Sequence, residues 1–367
     1  MFKPNSGESL LISLLEGKTG WRKDLRGQLL ANGLPNKRSE AWKWSDLRAA
    51  ARNVTREHSV QLQSDVRPQW AEIDFKLDDT FSPGALAHGI ATQTAIYRFH
   101  LGGVHNLDLG SGAGLSAASI IVSVASNVKC TVLERYRSAE EAFAISAVDY
   151  QLDPGAEVNR IVLTDDVTDT AWLLSSSISL SPDSTFSQTS LTFGSRFFRQ
   201  ETRVSHPGQG ASATLNAAYL AGPERHADFS TIVKMTGPGG KLRQLTKGIA
   251  HGGGRGVFQG KIHVEQAAQQ TDAEMTHKGI LIDERSEIDA KPELEIYADD
   301  VVCSHGNAIG TLDEMAMFYM RQRGLPEADA RRLLLESFLD ETLDAVAHEK
   351  TKDTLQSRIS NRLKGLL

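Results

Sequence analysis

Cys303 and His305 are the residues of this chain whose types and spacing best suit metal chemistry. They lie in the segment 291–306 (KPELEIYADDVVCSHG), whose apolar residues predict a strand. Side chains two residues apart on a strand project from the same face, about 7 Å apart along the chain, and a thiolate with an imidazole can bind a soft or borderline metal. An iron–sulfur cluster normally takes four ligands, and the second cysteine, Cys130, is distant in sequence. The pair therefore predicts either a site completed by another chain or a structural cysteine and histidine at a strand end.

Other patterns that resemble functional motifs are weaker. Segment 104–117 (VHNLDLGSGAGLSA) resembles the glycine loop of S-adenosylmethionine methyltransferases, with Glu134 placed as a ribose-binding acid. Such a loop must begin a helix whose N-terminus faces the ligand. The residues that follow predict a strand, so we reject this motif. His226 and Asp228 have no third ligand nearby, so we expect a hydrogen bond instead of a metal site. His251 precedes three glycines without a nucleophile motif, which predicts a flexible turn. The sequence contains no P-loop motif, so nucleotide hydrolysis would belong to a partner.

Composition limits the class of protein. The 367 residues include 40% hydrophobic residues and carry a formal net charge of −6, which predicts a soluble protein of two or three folding units that does not bind nucleic acid. Two cysteines suit a reducing compartment. The N-terminus does not resemble a signal peptide, and no segment is long and apolar enough to span a membrane. We expect a cytoplasmic protein with no membrane partner.

The chain divides into four regions by periodicity and composition. Helical spacing of apolar residues marks an N-terminal helical domain at 1–60 and a C-terminal helical domain at 311–367. A polar connecting segment occupies 61–94. Short apolar alternations broken by Pro and Gly run through 95–310 and predict strands.

The β-rich region contains an internal repeat. The segment LDPGAEVNRIVLT (152–164) matches LSPDSTFSQTSLT (180–192) at Leu, Pro, Leu and Thr. A β-rich repeat of about 20–50 residues with a turn at each step is typical of a solenoid, whereas the strands of a sandwich are spaced more tightly. We therefore expect a β-helix whose open ends are capped by the terminal helices. Leucines one repeat apart should stack in neighbouring coils and point inward: Leu152 on Leu180, and Leu163 on Leu191.

Four sequence blocks occur in an order that is far more specific than any single motif. Together they resemble the SufB/SufD family of SUF-system iron–sulfur cluster assembly scaffolds, over about residues 35–345. Within that family the length of the chain, the N-terminal block and the scarcity of cysteine resemble the SufD branch. The blocks are SEAWKWSDL (39–47), RGVFQGKIHVEQAAQQTDAEM (255–275), the segment 291–306 and MAMFYMRQRGLPEADARRLLLESF (315–338).

The resemblance implies a structure, a set of partners and a role. The structure would be mainly β, a right-handed parallel β-helix core flanked by N-terminal and C-terminal α-helical domains. The chain would be a scaffold and not an enzyme, pairing through the β-helix with a SufB-like subunit. A transient iron–sulfur cluster or iron would be shared across that interface, with His305 as its direct ligand and Cys303 as the second candidate ligand. The alternative is a β-helix scaffold that associates only with itself and has no metal role.

The C-terminal region carries more apolar residues than one packing face can use. The resemblance implies that a SufC-like ATPase binds there, and an apolar patch left over on a helical domain is usually a binding surface. Packing of these residues against the β-helix is the competing interpretation. The residues predicted to contact the ATPase are Met315, Met317, Phe318, Tyr319 and Met320.

Overall fold

The computed structural model of the protein describes residues 3–77, 81–139, 141–164 and 169–365. Helices lie mainly near the two termini, and strands fill the middle of the chain. The α-helices are α1 (Ser6–Leu14), α2 (Trp21–Asn32), α3 (Leu47–Ala50), α4 (Pro83–Ile90), α5 (Glu314–Gln322), α6 (Glu327–Asp340) and α7 (Glu349–Lys364). The strands are β1 (Gln61–Ser64), β2 (Gln69–Ala71), β3 (Thr94–Phe99), β4 (Gly103–Ser111), β5 (Gly114–Val124), β6 (Lys129–Ser138), β7 (Ala142–Leu152), β8 (Glu157–Thr164), β9 (Ala171–Ser179), β10 (Thr185–Thr192), β11 (Phe197–His206), β12 (Ser212–Ala221), β13 (His226–Met235), β14 (Lys241–Ala250), β15 (Arg255–Val264), β16 (Asp272–Leu281), β17 (Glu287–Ile296) and β18 (Val302–Gly310).

Within the described residues the strands form two sheets that wind together as a solenoid. Sheet A has the order β2, β3, β5, β7, β9, β11, β13, β15, β17, and sheet B has the order β1, β4, β6, β8, β10, β12, β14, β16, β18. From β3 onward, consecutive strands alternate between the sheets, so each strand pairs in parallel with the strands one coil away; β10, for example, pairs with β8 and β12. The predicted fold class, a mainly β parallel β-helix flanked by terminal helices, is confirmed.

The leucines of the repeat stack as predicted, but only one pair points inward. Leu163 pairs with Leu191 in neighbouring coils, and Leu152 and Leu180 follow directly after the paired residues of β7 and β9. Leu152 and Leu180 belong to the interior core. Leu163 and Leu191 instead lie in a cluster with leucines of α6 and α7 outside the solenoid, so their predicted inward orientation is wrong.

The terminal helices cover the outer faces of the sheets, which corrects the expectation that they cap the ends. Leu25 of α2 lies in one apolar cluster with Phe143, on the outer face of sheet A. Leu339 of α6 similarly shares a cluster with Ile161, on the outer face of sheet B. The reason is that strands apolar on both faces must have both faces covered. Within the described residues, none of these helices has the length and apolar character that crossing a bilayer would require.

A buried ion pair lies inside the solenoid. Arg160 donates from Nε and Nη2 to the two carboxylate oxygens of Glu134, at 2.7 and 2.8 Å. The hydroxyls of Tyr136 and Tyr150 donate to the same carboxylate, and Gln188 Oε1 accepts from Arg160 Nη1. Buried charges are tolerated when they are paired and hydrogen-bonded in this way. Glu134 is therefore an interior residue, and 104–117 forms parts of β4 and β5 and the turn between them, as the rejection of the methyltransferase-like loop required.

Candidate functional site at the end of the solenoid

Both sheets finish in strands that are paired along one edge only. β17 pairs with β15 and β18 pairs with β16, and neither has a second partner among the described residues. At the beginning of the solenoid, by contrast, the antiparallel strands β1 and β2 extend the two sheets. A free strand edge presents backbone N–H and C=O groups that another strand can pair with. The two edges at 287–296 and 302–310 therefore make this end a candidate interface.

Cys303 and His305 both lie on β18, the last strand, and share one face as predicted. Cys303 pairs in register with Ala273 and His305 with Met275 on β16. Because Ala273 and Met275 are interior residues, Cys303 and His305 lie on the interior side of β18, at the mouth of the solenoid. Cys303 is half-buried against the core, whereas His305 is exposed because no further coil of the described chain covers it.

The two side chains differ in their readiness to bind a metal. Burial raises the pKa of the Cys303 thiol, and a hydrogen bond with the backbone of Ala273 only partly opposes that effect. The thiol is therefore protonated at neutral pH, and binding a metal would require it to lose a proton. The imidazole of His305 forms no hydrogen bond or ion pair within the described part of the chain, so both of its nitrogens are available.

Cys130 cannot contribute to the same site. It lies on β6, six strand-to-strand steps from β18 in sheet B, which is about 29 Å at a spacing of roughly 4.8 Å per step. Its thiol is buried in the interior, and burial raises its pKa to about 11. Cys130 is a packing residue.

His277 is a neighbour of this site that the sequence analysis did not single out. It lies on β16, and its Nδ1 donates to Asn307 Oδ1 on β18 at 2.8 Å, while its Nε2 accepts from the hydroxyl of Tyr219 at 3.1 Å. Burial lowers the pKa of His277 to about 4, despite the opposing effect of the hydrogen bond to Asn307. His277 is therefore neutral with both nitrogens engaged, and it supports β18 instead of offering a free ligand.

The described chain supplies an incomplete set of metal ligands. No group of three or more His, Cys, Asp or Glu side chains with metal-binding geometry occurs among the described residues. Cys303 and His305 can therefore offer at most two ligands at this end of the solenoid. A cluster held here would need further ligands from a second chain that contacts the same edges.

Helix α5 presents an apolar surface on the C-terminal side of the chain. None of its residues is buried, and Met315 is 75% exposed while Phe318 and Tyr319 are each 59% exposed. Met317 and Met320 are half-buried. Among the helices, α5 packs mainly against α6, so a large part of its apolar surface faces solvent.

The other candidate histidines have structural environments. His226 bonds through Nε2 to the backbone oxygen of Trp44 at 3.1 Å, and Ser45 donates to Asp228. The hydrogen bonding predicted for His226 and Asp228 is thus confirmed, and it attaches the segment 39–47 to the outer face of sheet A. His251 lies in the turn between β14 and β15, as predicted from the glycines that follow it.

Comparison with protein families finds a match over most of this architecture. A family model described as "SUF system FeS cluster assembly, SufBD core domain" matches residues 108–338. That range extends from β4 through β18 to α6. It therefore includes the solenoid from β4 onward, its free edges and the apolar helix α5.

Several curated proteins are similar to the chain over much of its length. The iron–sulfur cluster assembly protein SufD of Escherichia coli is 30% identical over 279 residues, covering 76% of this chain and 61% of SufD. An iron–sulfur cluster assembly SufBD family protein of Synechocystis is 28% identical, covering 66% of this chain and 56% of the relative. The chloroplastic protein ABCI7 of Arabidopsis thaliana is 34% identical, covering 50% of this chain and 38% of that protein. The chain thus spans less than two thirds of the length of each of these relatives.

Proposed function

Because this chain belongs to the SufBD family of SUF-system iron–sulfur cluster assembly proteins, we propose that it is a non-catalytic scaffold subunit of a cluster assembly complex. Its partners would be a longer SufB-like subunit and a SufC-like ATPase. The observation that carries the proposal is that two free strand edges lie at the same end of the solenoid as Cys303 and His305, two side chains of types that can bind a metal. The nascent cluster is the cargo of this surface.

Pairing with the SufB-like subunit uses the edges of β17 and β18. Exposed strand edges that are long and uncovered promote association unless the protein protects them, and strand addition gives affinity through main-chain hydrogen bonds. Apolar side chains flank the edges: Val302 is 73% exposed and Tyr297 is 61% exposed. A second solenoid with matching edges would continue both sheets and bury these side chains.

The cluster cargo contacts His305 first and Cys303 second. His305 is exposed at the mouth and has no competing hydrogen bond among the described residues, whereas Cys303 must both lose a proton and become accessible. The SufB-like subunit would supply the remaining ligands across the interface. This division explains why a chain with so few ligands could still act in cluster assembly.

The ATPase binds the apolar surface of α5. Methionine and aromatic side chains suit a contact surface that must adapt to a moving partner. Since the sequence lacks a P-loop, ATP hydrolysis takes place in that partner. Replacing Met315 and Phe318 together by Ser should abolish copurification of the ATPase while leaving pairing with the SufB-like subunit intact; retained ATPase binding would refute the assignment of this surface.

The test of the metal role is the variant His305→Ala expressed as the sole copy in cells. We expect the complex to assemble and to hydrolyse ATP, while iron–sulfur enzymes fail to mature. His100→Ala is the matched control, because His100 is exposed and lies in the turn between β3 and β4 near the opposite end. Normal maturation with His305→Ala would refute the ligand assignment.

The same free edges also permit the alternative of self-association without a metal role. Two copies of β18 could also pair edge to edge, since the same unpaired backbone groups are available in each copy. Size-exclusion chromatography with and without the SufB-like subunit distinguishes the two. A homodimer that the SufB-like subunit fails to dissociate would favour the alternative.

A further inference from the structure

A cavity with an unusual charge lies between α7 and the outer face of sheet B. It has two adjoining lobes of about 280 and 360 Å³ that share Arg135, Leu163 and Arg358 in their walls. The floor is formed by β4, β6 and β8, which lie near the beginning of the solenoid. The cavity is therefore separate from the free edges at the other end and plays no part in the function proposed above.

Two arginines of the smaller lobe lie within ion-pair distance of one carboxylate. Arg135 and Arg137 lie two residues apart on β6, on its outer face. Arg135 Nε lies 3.0 Å from Asp108 Oδ1 on β4, without the alignment of a hydrogen bond, and Arg137 Nη2 lies 3.8 Å from Asp108 Oδ2. Asn106 Oδ1 accepts from Arg135 Nη2 at 2.6 Å. The orientation of Arg135 is thus fixed while its buried Nε–H has no acceptor among the described residues.

Among the described residues, the third arginine of this lobe has no partner of its own. Arg358 projects from α7, is half-buried, and forms no hydrogen bond or ion pair with the described residues. In the part of the chain that the structure describes, three guanidinium groups therefore share one carboxylate, which leaves an excess of two positive charges in the walls of a single small lobe. Like charges so placed repel one another in the free protein, and an anion would remove that cost.

A larger cavity elsewhere shows that such an excess is not general in this chain. This cavity, of about 600 Å³, lies between the segment 35–42 and the outer face of sheet A. Four cationic side chains line it. Each of them has a carboxylate within ion-pair distance: Arg199 with Asp228, Arg203 with Glu201, Lys261 with Glu295, and Lys291 with Glu40. The lobe at Arg358 is different because the described residues supply only one carboxylate, that of Asp108, for its three arginines.

The second lobe has a different chemistry. Apolar side chains contribute much of its wall, and several polar residues line it as well. The apolar residues are Val104, Leu133, Leu163 and Leu355; the polar ones, besides Arg135 and Arg358, are Asn106, His348, Lys350, Thr351 and Thr354. Its volume of about 360 Å³ is sufficient for a small organic group. Ligand sites are commonly of this kind, mostly apolar with a few polar groups that fix orientation.

We propose that this cavity binds an organic phosphate monoester. The phosphate lies between Arg135, Arg137 and Arg358, and the organic group occupies the apolar lobe. A phosphate monoester carries about −1.5 to −2 charges at pH 7, which matches the excess positive charge of the lobe. Arginine forks bind phosphate oxygens in pairs of parallel hydrogen bonds, which gives strength and orientation that a lysine does not provide.

The test is a titration of phenyl phosphate with the full chain at constant ionic strength. Binding is measured from the line width and chemical shift of the ³¹P signal of phenyl phosphate. We expect saturable binding, about tenfold tighter than that of inorganic phosphate because the phenyl group is buried. Phenol, which lacks the phosphate, should not compete. Arg358→Gln should weaken binding by about tenfold or more, since a hydrogen bond between charged groups is lost.

Two further variants keep the test decisive. Lys364→Gln removes the same charge from an exposed position on the same helix and should bind phenyl phosphate as the unaltered chain does. Arg358→Lys retains the charge and should bind with intermediate affinity, which also covers the case in which Arg358→Gln does not fold. The proposal is overturned if the unaltered chain shows no saturable binding of phenyl phosphate. It is also overturned if the Arg358 variants and Lys364→Gln bind equally.

Discussion

Replacing Arg160 by Met tests whether the interior of the solenoid depends on its buried ion pair. Arg160 is 1% exposed and Glu134 is fully buried. In the variant, the carboxylate of Glu134 would lose the two hydrogen bonds from Arg160 and retain only those from the hydroxyls of Tyr136 and Tyr150. Leaving a buried charge without its partner costs about 3–5 kcal/mol. Gln188 Oε1 also loses its donor, which adds to the loss.

The measurement is thermal unfolding followed by far-ultraviolet circular dichroism. At roughly 2 °C per kcal/mol for a chain of this size, the loss corresponds to a Tm lower by roughly 6–10 °C. Arg243→Met is the matched control, because Arg243 forms an exposed pair with Asp272 on the outer surface, and such pairs contribute about 1 kcal/mol or less. The double variant Arg160→Met with Glu134→Gln should recover part of the loss, since no unpaired charge remains.

The reasoning would be refuted if Arg160→Met lowered the Tm no more than Arg243→Met. It would also be refuted if the stability loss of the double variant equalled the sum of the losses of Arg160→Met and Glu134→Gln, each measured alone. Either result would mean that Glu134 does not depend on Arg160 for its burial.

Two other predictions concern the interior. Leu152→Ala should lower the free energy of unfolding by about 2–5 kcal/mol because it leaves a cavity beside Leu180. Leu101→Ala is the control and should have little effect, since Leu101 is highly exposed in a turn. Equal Tm values for the two variants would contradict the interior position of Leu152. The pKa of His277, lowered to about 4 by burial, lies below that of the unfolded chain, so stability should fall as the pH falls through the window between these values. Between pH 7 and pH 5 the loss from this group is about 2 kcal/mol, and His277→Gln should remove it from denaturant unfolding curves; an unchanged pH dependence in that variant would contradict the assignment.

The architecture was predictable because one repeat in the sequence corresponds to one coil of the solenoid. The Pro-containing corners at 152–164 and 180–192 fix the coil length, so residues at equivalent positions become neighbours in register, as Leu163 and Leu191 do. The inward or outward orientation was not predictable in the same way. Ile161, Val162 and Leu163 are all buried because α6 and α7 cover the outer face, so the alternation that would distinguish the two faces is absent.

The candidate site was predictable in its local geometry and not in its surroundings. A strand with Cys303 and His305 on one face follows from spacing alone, and the structure has it. That this strand is the last of the solenoid, with His277 bonded to Asn307 behind it, depends on contacts between coils about 30 residues apart. The coil offset itself was a usable signal, since Arg160 and Gln188 are separated by one repeat and bond to each other. The ligand role of Cys303 and His305 stays a prediction.

The proposed pairing through the free edges of the solenoid is tested most directly by hydrogen–deuterium exchange of the chain alone and mixed with the proposed partner, a SufB-like subunit of the same organism. Backbone amides that gain a partner strand exchange more slowly. We predict new protection in 287–296 and 302–310, with β1 and β2 at the opposite end unchanged. Unchanged exchange at both edges in the mixture would contradict pairing through them. New protection on the outer face of either sheet, in place of the edges, would contradict it as well.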